Sequence, residues 1–104
     1  MQHKESARTL VHARIAHYNE LYQVEIKRVA IKNSRSRWGS CSLGGNLNFN
    51  YRLVLLRQEL ADYVVVHELC HLKHFNHSAD FWAEVARACP GWKALRRELK
   101  LIRL

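Results

Sequence analysis

The chain has 104 residues, enough for one modest hydrophobic core, so we expect a single domain over residues 1–104. Hydrophobic residues make up 48% and charged residues 25% of the sequence, which excludes disordered and fibrous proteins, and no apolar run is long enough to span a membrane. The formal net charge of +8 favours acidic or polyanionic partners, although a solvated basic face is the commoner explanation of such a charge.

The first half of the chain predicts a helix and a small sheet. Apolar residues over 6–22 recur at spacings of three and four, which indicates an amphipathic helix capped by Ser6. Residues 24–32 alternate apolar and charged side chains, as in a half-buried strand. Two further alternating segments flank Gly44 and Gly45, and this pair indicates a hairpin because glycine adopts positive φ at no steric cost. Together these segments predict a three-stranded antiparallel sheet.

The second half predicts three helices. The segment from Leu53 to about His74 is apolar nearly all round between residues 60 and 72, as expected of a buried helix. Ser78 can cap the next helix, which Pro90-Gly91 should end, and an apolar repeat beginning at Trp92 indicates a last one. The order of these elements predicts an α+β fold.

The sequence HELCH at residues 67–71 matches the H-E-x-x-H pattern. Histidines four positions apart lie about 40° apart around a helix axis and one turn along it, so both imidazoles can reach one metal ion. Glu68 then lies beside the ion, where it can act as a general base. Burial supports this interpretation, because two histidines and a glutamate in an apolar helix are costly unless they are paired or bind a metal.

Two histidines compete to be the third ligand that a catalytic zinc ion usually has. His77 lies just beyond the predicted end of the helix, where a chain reversal can return it to the ion, whereas His74 could share the helical face of His71. We predict His77, because a ligand from a separate direction closes a tetrahedral site more easily. Glu84 is a weaker candidate, and Asp80 is weaker still.

Two stretches, RWGSCSLGGNLNFNYRL and DYVVVHELCHLKHFNHSADFW, resemble the catalytic part of the YgjP-like metallopeptidases, relatives of the SprT-like zincins. The resemblance runs from about Ser34 to the final helix. It implies a minimal zincin-like α+β fold in which His67, His71 and His77 hold Zn²⁺ and Glu68 is the catalytic glutamate. It also implies that the WGSC segment forms a sheet edge beside the cleft, where a zincin lays an extended peptide as an added strand.

The predicted function is therefore zinc-dependent hydrolysis of peptide bonds in peptide or protein substrates. Three side chains, Tyr51, Arg52 and Tyr63, are candidate donors to the developing oxyanion, although each also suits a structural role. The odd set of three cysteines contains no C-x-x-C pair, and the chain begins with polar residues, so we expect a reducing, cytoplasmic location.

A different class of protein is also compatible with the sequence, namely a basic module in which zinc is only structural. The segment KNSRSRWGS places positive charge beside Trp38, a composition suited to phosphate contact and base stacking, and the overall charge allows weak association with nucleic acid. Four protein ligands, with Cys41 as the fourth, would favour this module. An open fourth position would favour the enzyme.

Overall fold

The computed structural model describes residues 3–104, and in chain order a small sheet follows an N-terminal helix and precedes three further helices. The helices are α1 (Lys4–Tyr22), α2 (Gln58–His71), α3 (Ala79–Ala88) and α4 (Trp92–Lys100). The strands are β1 (Arg28–Lys32), β2 (Gly39–Cys41) and β3 (Asn46–Asn50), and a 3-10 turn at Tyr51–Leu55 follows β3. This arrangement confirms the predicted α+β class.

Helix α1 begins earlier than predicted. Its first residue is Lys4, and the carbonyl of His3 accepts the Ala7 N–H at 2.9 Å, so Ser6 lies inside the first turn and does not cap the helix. The helix ends where Gln23 adopts the left-handed conformation with a φ of 53°. One stripe of α1 is buried in the core and consists of Ala7, Val11, Ile15 and Tyr22.

The sheet is mixed, with strand order β1-β3-β2. β2 pairs antiparallel with β3 through a turn in which Gly45 has a φ of 86°, which confirms the predicted hairpin. β1 runs parallel to β3, with Ile31 opposite Phe49, so the prediction of a fully antiparallel sheet is wrong. The connection over residues 33–38 carries the chain to the far edge of the sheet, and the hairpin then returns β3 to the central position.

Helix α2 is shorter than the apolar pattern indicated. Leu56 and Arg57 are extended, with a ψ of 152° each, and they separate the 3-10 turn from the helix that begins at Gln58. The helix ends at His71, so His74 lies beyond it. Burial extends around most of α2, which packs against α1, β2, α3 and α4. This packing compensates for the low helix propensity of its three valines. Within the described residues, no helix is long and apolar enough to cross a membrane.

One polar cluster interrupts the apolar contact between α1 and α2. Asp62 is only 7% exposed, and its carboxylate accepts hydrogen bonds from Arg14 at 2.9 and 3.0 Å and from the Tyr18 hydroxyl at 2.8 Å. The apolar pattern over residues 60–72 did not predict this buried polar contact, since the partners of Asp62 lie more than forty positions away in the sequence. The cluster fixes the register of the two helices.

We expect Asp62→Ala to lower the free energy of unfolding by about 2–3 kcal/mol, because the substitution leaves the half-buried Arg14 guanidinium without its carboxylate. Urea unfolding followed by circular dichroism measures the change. Glu59→Ala is a matched control, since it removes an exposed carboxylate from the same helix and should change the stability little. Equal destabilisation by both substitutions would contradict a specific role for the cluster.

Candidate metal centre

Helix α2 presents His67 and His71 on one face, as the spacing of the motif predicts. Their Nε2 atoms lie 3.1 Å apart. Both side chains are half-buried within a helix whose neighbouring residues are buried. Both line a cavity of about 260 Å³, here termed the histidine cavity. Two imidazole nitrogens are therefore held together at the edge of the core, with access from outside.

His77 reaches the same point from the segment between α2 and α3. Its Nε2 lies 3.0 Å from Nε2 of His71. The chain turns here because Ser78 caps α3, its hydroxyl accepting the Phe81 N–H at 3.3 Å, as the sequence predicted. Within residues 3–104, the three histidines form the one group of ligating side chains that could hold a metal ion, with ligand atoms all within 4.8 Å of one another.

His74, the competing third histidine, contributes its backbone rather than its side chain. Nδ1 of His71 lies 3.1 Å from the His74 carbonyl oxygen. A carbonyl only accepts hydrogen bonds, so Nδ1 of His71 carries the proton and its Nε2 keeps the lone pair that faces the other two histidines. This kind of support for a ligating histidine is common at metal sites, but it depends on the path of the chain and has no sequence signal.

Aromatic side chains limit the rotation of the three rings. Phe81 stacks on His71 with centroids 4.4 Å apart, and Trp82 stacks on His77 at 5.6 Å. The Tyr63 hydroxyl lies 3.5 Å from Nδ1 of His67, at the limit of a hydrogen bond. The imidazoles are thus oriented by packing from α2 and α3.

The lowered pKa values of His67 and His71 favour the neutral imidazoles that bind a cation. Burial lowers the pKa of His67 to about 3, and the nearby His71, His77 and Arg96 act in the same direction. Burial also lowers the pKa of His71.

Nitrogen ligands of a tetrahedral zinc ion lie about 3.3 Å from one another. Nε2 of His71 lies at close to this distance from Nε2 of His67, 3.1 Å, and of His77, 3.0 Å, and the ligand atoms of the whole group lie within 4.8 Å of one another.

Glu68 belongs to α2 and is 6% exposed, and its side chain lies against the edge strand β2. A Cβ atom added at Gly39 would lie 3.1 Å from its Cγ, 3.2 Å from its Oε2 and 3.2 Å from Cγ1 of Val64, so this glycine allows the strand to approach the carboxylate. Burial raises the pKa of Glu68 to about 8, and the positive charge of Arg37 opposes the shift. A buried carboxyl of raised pKa beside a cavity is suited to proton transfer near neutral pH.

The other candidate residues lie elsewhere or have other partners. Arg52 donates to Asn33 and to the Ser34 carbonyl at 3.1 Å each, and its guanidinium lies over the Tyr51 ring, away from the histidines. Tyr63 is the one predicted oxyanion donor that lies at the centre, where it contacts His67.

The two acidic candidates for the third ligand are not in the histidine group. Glu84 forms salt bridges with Lys73 at 3.0 Å and with Arg87 at 2.9 Å. Asp80 is exposed in the first turn of α3. Neither is among the clustered ligand atoms of the described chain.

The structure does not favour the alternative of a module in which zinc is only structural. Cys41 lines the histidine cavity, but its thiol donates to the carbonyl of Ser42 at 3.6 Å and is not one of the grouped ligands in the described residues. Trp38 is half-buried and packs against the core. In the part of the chain that the structure describes, the group therefore offers three ligand atoms, one fewer than a closed tetrahedral site needs.

Comparison with known proteins agrees with this geometry. The model of the YgjP-like family, described as a metallopeptidase domain, matches residues 2–101. The fold is similar to the metallopeptidase zymogen abylysin of Pyrococcus abyssi, with a TM-score of 0.77 and 25% identity over 86% of this chain and 90% of that chain. It is also similar to the zymogen jannalysin of Methanocaldococcus jannaschii, with a TM-score of 0.67 and 22% identity over 92% and 97%. A search of curated proteins found no match.

The family match extends well beyond the two motifs noticed in the sequence, into α1 on one side and to the end of α4 on the other. The solved structures share the arrangement of helices and sheet. On these grounds the chain belongs to the YgjP-like metallopeptidase family.

Proposed function

We propose that residues 1–104 act as a zinc-dependent metallopeptidase domain in which His67, His71 and His77 hold the ion and Glu68 is the general base. The observation that carries this proposal is the convergence of three histidine nitrogens beside a buried carboxylate at an open cavity. A zinc ion held by these histidines would supply Lewis acidity, which can polarise a peptide carbonyl and activate water near neutral pH.

The protein side of the reaction is proton transfer by Glu68. In the proposed mechanism, its carboxylate accepts the proton of the attacking water and then delivers it to the amine of the leaving segment. Strand β2 approaches this carboxylate closely at Gly39, which limits the space in which the side chain can move. Glu68 lines the cavity that the histidines also line, so its carboxyl can reach a water or a substrate there.

Strand β2 is the proposed platform for the substrate. It lies at one edge of the described sheet, and its residues Gly39, Ser40 and Cys41 line the histidine cavity. An extended peptide that pairs with this edge would be fixed by main-chain hydrogen bonds, which are independent of its side chains. The proposed substrates are therefore extended segments of peptides or proteins. The three cysteines are free thiols, which supports a reducing compartment, and we propose the cytoplasm.

Removal of the metal tests the proposed function. We expect the purified protein to bind one zinc ion per chain, to cleave a peptide library, to lose cleavage on treatment with a chelator and to regain it with one equivalent of zinc. Added magnesium serves as the control, because histidine nitrogens bind it poorly. Cleavage that persists after complete removal of the metal would contradict zinc dependence. Stoichiometric zinc binding without any cleavage would favour the structural module.

A further inference from the structure

A second cavity of about 260 Å³ opens beside the histidine cavity, on the side of α4. Gly39, His67, Glu68 and Arg37 line both cavities, so the two meet at the proposed catalytic glutamate. A peptide whose scissile bond lies next to Glu68 would therefore have a neighbouring group directed into the second cavity.

The second cavity has an apolar wall and a cationic rim. Trp38, Val64 and Leu99 supply apolar surface. Arg37 comes from the connection between β1 and β2, while Arg96 and Lys100 lie one turn apart on α4, and all three are exposed. The rim thus combines cations from two separate elements.

These three cations have no salt-bridge partner among the described residues. In the described part of the chain, neither Arg37 nor Arg96 nor Lys100 forms a salt bridge, whereas Arg57 and Arg87 are paired with glutamates. Arg96 instead lies over the Trp82 ring at 5.5 Å, which positions its guanidinium. Glu68 is the single acidic residue that lines the cavity, and it is assigned to the reaction itself. An anionic group would be attracted to this rim, and a cationic one would be repelled.

We propose that this cavity, here termed the cationic subsite, binds a carboxylate of the substrate next to the scissile bond. The carboxylate belongs either to an aspartate or glutamate side chain or to the C-terminus of the peptide, since both present the same charged group. The apolar wall receives the methylene carbons, and the rim receives the oxygens. This inference rests on the proposed peptidase function and adds the substrate class to it.

The test is digestion of a peptide library with free C-termini and of the same library with amidated C-termini, followed by mass spectrometry. We expect acidic residues to be enriched at one position beside the cleaved bond, with kcat/KM about tenfold higher for a glutamate peptide than for its glutamine counterpart. Enrichment that survives amidation indicates a side-chain carboxylate. Cleavage near the C-terminus that amidation abolishes indicates the terminal carboxylate.

Two double substitutions on α4 provide a matched comparison. Arg96→Glu with Lys100→Glu should abolish the acidic preference and favour lysine or arginine at that position. Lys93→Glu with Arg97→Glu is the control, because it makes the same change of charge at the same spacing on the same helix but outside the cavity. Like the first pair, it removes a cation that lies over a tryptophan ring. This control should keep the acidic preference. If the first pair fails to fold, Arg96→Gln with Lys100→Gln should still remove the preference without reversing it.

The possible failures are distinguishable. Cleavage by the parent protein without an acidic preference, or an equal loss of preference in both charge-reversed variants, overturns the cationic subsite and leaves the peptidase in place. Absence of cleavage of either library by the zinc-loaded parent overturns the proposed function, and the inference that rests on it falls as well.

Discussion

Glu68→Gln is expected to lower kcat for peptide cleavage by about 10³-fold while the protein retains its zinc. Glutamine has nearly the same shape but cannot accept a proton from water near neutral pH, so the substitution removes the proposed base and leaves the three histidines untouched. The fold should also persist, because the change replaces a carboxyl that is 6% exposed by a neutral group. Cleavage of a single library-derived peptide and the zinc content of the same preparation measure the two properties separately.

Glu84→Gln is the matched control for this substitution. Glu84 lies on α3 in salt bridges with Lys73 and Arg87, and it was the acidic alternative for the third ligand. Its substitution should leave the zinc content and the rate of cleavage close to those of the parent. A Glu68→Gln protein that cleaves at the parental rate would contradict the base, and loss of zinc from Glu84→Gln would restore the acidic ligand as a candidate.

The parts of the fold that the sequence predicted correctly depend on local chemistry. The two adjacent glycines mark the hairpin because one of them, Gly45, must adopt positive φ. Ser78 caps α3 through a hydrogen bond to a residue three positions away. The spacing of His67 and His71 brings their nitrogens together by helical geometry alone. In each case the relevant partners are a few residues apart, so the pattern is visible in the sequence.

The parts that were missed depend on contacts between distant segments. The parallel pairing of β1 follows from the crossing connection over residues 33–38, for which an alternating pattern gives no direction. Asp62 received no predicted role, because its partners Arg14 and Tyr18 belong to α1. The family resemblance placed the WGSC segment beside the cleft, but the closeness of Gly39 to the Glu68 side chain had no local signal, since it involves another element. Sequence patterns alone therefore predicted the helices and strands better than the contacts between them.

His77→Ala and His74→Ala separate the two histidines that competed for the third position, and we expect only the first to impair zinc binding. Loss of a group that merely supports a ligand typically costs 10–100-fold in metal affinity, so removal of a direct ligand at His77 should cost at least about 100-fold. His74→Ala should stay within a few-fold of the parent, because the carbonyl that orients His71 belongs to the backbone and survives the substitution. Competition with a chromophoric chelator measures both affinities.

The opposite pattern, with zinc lost from His74→Ala and retained by His77→Ala, would contradict the proposed ligand set. Circular dichroism of both variants without metal provides the control for folding, since His77 is exposed and its removal leaves the Ser78 cap of α3 intact. An equal loss of affinity in both variants would also contradict the assignment, because it would mean that the His74 side chain holds the segment or the ion. Both variants should therefore fold, and the change in their affinity for zinc distinguishes a ligating side chain from a neighbouring one.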